Sequence, residues 1–189
     1  MNIIKAAEKF ALEEIEKYHS PTVLHWKIAN KKGIKLANEL NADEKVVRLG
    51  TNLMDIKLGQ ALEEGRIQDH IKMSVEATKK FLGQFDLSKE IKNKVINSVA
   101  AHHGTRPYLC IEAEICANAD CFRFLSPQGF IAFLFTLGKR DMPFLEALSY
   151  AESKVEEKYK IISLNICKKE AMENYKLLKR LITLAKSSL

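Results

Sequence analysis

The stretch Ser88–Gly104, SKEIKNKVINSVAAHHG, reads as one complete helix with its own start and stop. Ser88 belongs to the residue types that cap a helix N-terminus, Ile91 opens the apolar pattern, and Gly104 marks the end after the pair His102-His103. Its first half, Lys89-Glu90-Ile91-Lys92-Asn93-Lys94, mixes both signs of charge around an apolar position, as a solvated helical face does. The same periodicity runs through the rest of the chain, and no alternating stretch bounded by turn residues reads as a strand. The fold class is therefore all-α.

Toward the N-terminus, a first helix is expected from about Ile3 to Lys17. Ser20-Pro21 opens a second that carries His25 and runs to about Leu40, because serine caps well and proline suits the first helical turn. Asp43 caps a third, which continues through Met54 and Asp55 to about Glu64 and stops at Gly65. A fourth holds His70 and reaches Leu82, and a turn over Gly83 to Leu87 leads into the stretch quoted above.

Toward the C-terminus, Thr105-Arg106-Pro107-Tyr108 is a loop, and Ile111 to about Phe124 is a short apolar helix containing Asp120. Ser126-Pro127 then introduces a phenylalanine-rich segment, Phe130 to Leu137. Two long amphipathic helices close the chain, near Met142 to Leu164 and Asn165 to Lys186, and read as packing helices over about 140–187. Phe122, Phe124, Phe130, Phe133 and Phe135 have the helical spacing of core residues rather than of a nucleobase pocket. With no linker or repeat between these parts, residues 1–189 are expected to form a single domain.

Composition narrows the class. At 189 residues, 47% hydrophobic and 29% charged, the chain can bury a substantial core without disulfide support. The formal charge of +6 comes from lysines scattered among glutamates, and they do not cluster with aromatic residues, which argues against a nucleic-acid partner. Cys110, Cys116, Cys121 and Cys167 form no C-x-x-C pair and read as reduced thiols. The opening Met1-Asn2-Ile3-Ile4-Lys5 enters an amphipathic pattern rather than a secretory signal, and no apolar run is long enough to cross a membrane. The expected compartment is the cytoplasm. The terminal helices could also pair with a second copy, making a homodimer.

All five histidines lie within the first 103 residues. His19 alone reads as a surface or hydrogen-bonded core residue, but the others form an ordered series: His25, Asp55, His70, His102-His103 and Asp120, each on a different helix or at its end. Imidazole and carboxylate groups together suit manganese, iron, cobalt, nickel or zinc, whereas an all-oxygen set favours magnesium or calcium. Such an ion activates water and polarises a phosphoryl oxygen.

This series, in the contexts Leu24-His25-Trp26, Leu53-Met54-Asp55-Ile56, Asp69-His70-Ile71, His102-His103-Gly104 and Asn118-Ala119-Asp120, resembles the HD-domain superfamily of metal-dependent phosphohydrolases. The resemblance covers about residues 20–125. It implies a helical bundle in which an early histidine, a His-Asp pair and a late aspartate coordinate a divalent metal, with further histidines helping to hold a second ion. Carried onto this chain, the implied ligands are His25, Asp55, His70, His102, His103 and Asp120, for one or two transition-metal ions.

The departure is Met54, which stands where the family has the histidine of the pair. A thioether is a poor substitute for imidazole toward these ions. The resemblance therefore leaves two expectations. One is metal-dependent hydrolysis of a phosphate ester in a small phosphorylated metabolite or nucleotide, with Asp55 at the catalytic centre and Lys57 and Arg106 holding phosphate. The other is a degenerate domain that binds a nucleotide or a protein partner without catalysis. Arg48 and Lys72 are weaker candidates for phosphate contact. Trp26, beside His25, is either a pocket wall or a buried anchor.

Overall fold

A computed structural model describes residues 2–187. Among them are ten α-helices, one short 3-10 turn and no strand, in agreement with the all-α expectation. The chain divides into two compact units, Met1–Asp120 and Cys121–Leu189.

The first unit contains α1 (Ile3–Tyr18), α2 (Val23–Glu39), α3 (Glu44–Leu53), α4 (Leu58–Glu63), a 3-10 turn (Ile67–Asp69), α5 (His70–Gly83), α6 (Lys89–Ala101) and most of α7 (Ile111–Leu125). The starts of α1, α3 and α6 are fixed by side-chain caps. Asn2 accepts from the backbone N–H of Ile4, Asp43 from those of Lys45 and Val46, and Ser88 from that of Ile91. At α2 the structure corrects the expectation of a start at Ser20-Pro21. The cap is Thr22, whose Oγ1 accepts the N–H of His25, and Pro21 lies outside the helix.

α3 is the central helix of this unit. It packs against α1, α2 and α6, and Val46, Val47, Leu49, Gly50, Thr51, Asn52 and Leu53 are all buried. Gly50 lets it approach its neighbours closely: a Cβ there would lie 2.6 Å from Cys116 Sγ and 2.8 Å from Ser98 Cβ. Leu49, Leu53, Met54 and Ile56 join Ala29, Val95, Val99 and Phe81 in one apolar cluster. Trp26 is half-buried and anchors α2 to α3 by donating Nε1–H to Asn52 Oδ1 at 2.9 Å.

The expected single helix from Asp43 to Glu64 is interrupted. α3 ends at Leu53, and residues 54–57 form a turn before α4. Here the backbone tightens to three-residue spacing, with Ile56 N–H bonded to Leu53 O and Leu58 N–H to Asp55 O. The Lys57 N–H donates to Ser74 Oγ on α5 at 3.2 Å, so a side chain from another helix satisfies a group that the break releases.

The second unit holds the end of α7, α8 (Pro127–Gly138), α9 (Phe144–Ile161) and α10 (Asn165–Ser187). Ser126 caps α8 through the Gly129 N–H, with Pro127 in the first turn as its ring favours. Phe122 and Phe130 are buried, as expected of core residues; Phe124 and Phe133 are half-buried, with their rings edge-on. Phe135 departs from the core expectation, being 69% exposed, because α8 buries only the face carrying Phe130 and Leu137. α9 and α10 pack together, with Ala151, Val155, Ala171 and Leu178 buried, and are joined by a charged network in which Lys179 reaches both Glu152 and Glu156. Lys186 joins Glu152 at 2.7 Å, and Tyr175 donates to Glu156 at 2.9 Å.

Candidate metal centre

Breaks at three helix ends bring the candidate ligands together. Asp55 lies in the turn that separates α3 from α4, His70 is the first residue of α5, and His102-His103 follow the last turn of α6. Because α5 and α6 pack side by side, their ends supply histidines to the same place. Asp55, His70, His102 and His103 each offer a ligand atom within 4.8 Å of the other three.

Two of the rings are held by identical devices. His70 Nδ1 lies 2.7 Å from Ile67 O, and His102 Nδ1 lies 2.7 Å from Val99 O. A carbonyl only accepts, so Nδ1 carries the hydrogen in both rings, and in the neutral imidazole Nε2 presents its lone pair. Both lone pairs face one carboxylate: Asp55 Oδ1 is 3.3 Å from His102 Nε2 and 3.7 Å from His70 Nε2. Neither Nε2 hydrogen-bonds to another group of the chain, and all three residues are buried, His102 completely.

Buried lone pairs converging on a carboxylate are unfavourable in a medium of low polarity unless a positive charge lies among them. A divalent cation satisfies that requirement, and the backbone carbonyls behind the rings are the outer partners that orient metal-binding histidines. The donor set of three imidazoles and one carboxylate fits a transition metal rather than magnesium or calcium. The residues present thus suit the expected class of ion.

The other expected positions are distributed differently. His25 on α2 and Asp120 on α7 are buried but lie outside the group of four. Met54 is buried within the apolar cluster, 1% exposed. Lys57 points its ammonium to Glu14 on α1, 2.8 Å away, over the Phe10 ring, and this ion pair takes it toward α1. Arg106 is exposed in the loop after the histidine pair. Arg48 is engaged by Glu8 and Glu44, Lys72 is exposed, and His19 is an exposed residue ending α1 with φ 56°.

Several contributors carried no signal of their own in the sequence. The carbonyls of Ile67 and Val99 aim two rings, and Ser74 fastens the turn that bears Asp55. Asn97 holds the Arg106 loop at two points, donating to Pro107 O at 3.1 Å and accepting from the Leu109 N–H at 2.9 Å.

No family model matches the chain. Ribonuclease Y from Lactobacillus helveticus and from Lactobacillus acidophilus are each 33% identical to it over 92 residues, 49% of this chain but 15% of each relative. The chain thus matches only a small part of those proteins. Solved structures cover it almost end to end. A predicted HD-superfamily hydrolase from an uncultured Thermotogales bacterium aligns over 97% of this chain and 91% of its own, with a TM-score of 0.70 and 14% identity. Bacillus subtilis YpgQ aligns over 100% and 98%, with a TM-score of 0.71 and 18% identity, and the same protein has been solved in complex with ADP. An HD-superfamily hydrolase from Bacillus thuringiensis aligns over 98% and 95%, with a TM-score of 0.69 and 17% identity. The chain has the fold of the HD-superfamily hydrolases.

Proposed function

We propose that this protein is a metal-dependent phosphohydrolase acting on a small phosphorylated metabolite or nucleotide. The observation that carries the reading is the convergence of Asp55, His70, His102 and His103, with two ring nitrogens turned by backbone carbonyls toward one carboxylate. A divalent ion held there supplies Lewis acidity toward a phosphoryl oxygen and an activated water. Arg106 is the proposed phosphate grip, since its loop follows His103 directly and a guanidinium pairs with phosphate through two hydrogen bonds. Lys57 is the weaker candidate because Glu14 already engages it. The complex of YpgQ with ADP makes nucleotides the first substrates to try. The ribonuclease Y matches add a short RNA to the panel.

A second reading, a domain that binds a nucleotide or a partner without catalysis, draws on the burial of Met54 in the apolar core, where it donates nothing to an ion. Among the described residues no single helix is long and apolar enough to cross a membrane, and the cytoplasm is the compartment we propose.

The experiment is elemental analysis of tag-free protein purified without chelators, for wild type and Asp55→Ala, followed by hydrolysis assays on nucleotides, sugar phosphates and RNA. Near-stoichiometric transition metal that Asp55→Ala abolishes, together with hydrolysis of a phosphate ester in the panel, supports the hydrolase. Metal without turnover favours the binding reading. Metal-free wild type that is inert toward the panel overturns the hydrolase, and gain of metal affinity in Met54→His would then mark a lost site.

A further inference from the structure

We propose that the groove between α1 and α5 is a binding site for a planar organic anion, an apolar ring system carrying one negative group. The inference goes beyond the phosphohydrolase reading and does not rest on it, because none of Asp55, His70, His102 and His103 lines the groove. α1 supplies Ala6, Lys9, Phe10 and Glu13, which share one helical face. Across from them, Met73, Ala77 and Phe81 follow one another at steps of four along α5, over about 12 Å of helix, and Phe85 lies just past its end. The cavity has a volume of about 670 Å³, in the range of sites that hold small organic molecules.

Its floor is aromatic. Phe10 and Phe81 stack with their centroids 5.7 Å apart and their planes inclined by 20°, and the Phe85 ring lies 5.1 Å from that of Phe81. Phe10 and Phe85 are half-buried, so the core covers only part of each ring. Ala6 and Ala77, one helical turn before Phe10 and Phe81, end at Cβ and leave width for a ligand. A flat ring system suits such a floor, since it stacks on aromatic faces and has little internal freedom to lose.

The walls specify the charge. Lys9 pairs with Glu13 at 3.7 Å, Lys57 with Glu14 at 2.8 Å, and Glu76 with Lys79 at 2.8 Å. Lys80, on the α5 wall, forms no ion pair among the described residues, so one positive charge at the groove is not matched by a neighbour. One negative group on the ligand matches it.

The groove also touches the turn that carries Asp55. Lys57 lines it with its ammonium 5.8 Å from the centre of the Phe10 ring, and Met73 lines it next to Ser74, whose hydroxyl receives the Lys57 N–H. A ligand seated there contacts the residues on both sides of that hydrogen bond, and its presence reaches the turn.

The test uses full-length protein and 8-anilinonaphthalene-1-sulfonate, a planar anion whose fluorescence rises in apolar surroundings. Two competitors, 1-naphthoate and the uncharged 1-naphthamide, separate ring from charge. Wild type is expected to give a saturable signal that 1-naphthoate displaces about 10-fold more effectively than 1-naphthamide. Lys80→Gln should make the two competitors equal, whereas Lys169→Gln, at an exposed lysine of α10, should keep their difference. Ala77→Trp, which fills the groove, should abolish the signal. If Ala77→Trp does not fold, the comparison in Lys80→Gln carries the test. In nuclear magnetic resonance spectra, 1-naphthoate should shift the amide resonances of Lys57 and Ser74 in wild type.

Absence of a saturable signal, a signal that folded Ala77→Trp retains, or equal displacement by the two competitors in wild type would each overturn the inference. So would unmoved Lys57 and Ser74 resonances at saturating 1-naphthoate. Self-association of the wild type that Ala77→Trp dissolves would make a second copy of the chain the occupant and overturn it as well.

Discussion

Asp55 Oδ1 lies 3.3 Å from His102 Nε2, and the opposite nitrogen of that ring is held by Val99 O. This relationship makes the carboxylate and the imidazole acceptors aimed at a common point. Asp55→Asn replaces the charged oxygen while preserving shape. It is expected to reduce metal affinity by at least about 100-fold, more than the loss of an outer partner, with little change in helicity. Isothermal titration with zinc and a circular dichroism spectrum check both parts.

Gly50 predicts a packing effect remote from the chemistry. Gly50→Ala would push a methyl group to 2.6 Å from Cys116 Sγ and 2.8 Å from Ser98 Cβ, where α3 meets its neighbours. The overpacking is expected to cost about 1–3 kcal/mol, outweighing the better helix propensity of alanine. Urea denaturation would show a lower midpoint at unchanged slope.

Asn97 links packing to activity. Asn97→Ala removes both hydrogen bonds that position the Arg106 loop, at about 0.5–1.5 kcal/mol each. If Arg106 grips phosphate, KM for a phosphate ester should rise several-fold while the bound metal remains. Steady-state kinetics beside metal analysis separates this from loss of the ion.

The α9–α10 network sets a pH response. Lys179 and Lys186 hydrogen-bond Glu152 and hold its carboxyl below the usual value of 4.5. A carboxylate so depressed stabilises the folded state above pH 4.5, and that contribution is lost as pH falls through its folded-state value. The same contacts, from Glu152 first and then Glu156, raise Lys179, whose contribution is complete below pH 10.5 and lost as pH rises through its own folded-state value. Thermal melting of wild type and Glu152→Gln across acid pH should show a smaller acid-side decline in the variant.

The parts of the fold legible in the sequence were those fixed locally. Asp43 and Ser88 cap the helices expected of them, and Gly65 and Gly104 turn at positive φ after α4 and α6, as their positions suggested. The break after Leu53 was not legible, because Leu53-Met54-Asp55-Ile56 continues a helical pattern and the hydroxyl that receives the Lys57 N–H comes from Ser74, 17 residues away. The direction of Lys57 was hidden for the same reason, its partner Glu14 lying 43 residues earlier. Chain order suggested His70 and His102-His103 as ligands, but only the packed ends of α5 and α6 bring them to Asp55 while His25 and Asp120 remain outside the group of four.

The tie between Ser74 and the turn at 54–57 reaches further than its single hydrogen bond. α5 begins with His70 and, one turn later, fastens the backbone that carries Asp55, so two ligands are attached to one rigid element. Loading the centre should therefore slow amide hydrogen exchange at residues 54–57 and 67–70 together, as one cooperative opening unit, and Ser74→Ala should split that unit into two with separate exchange rates.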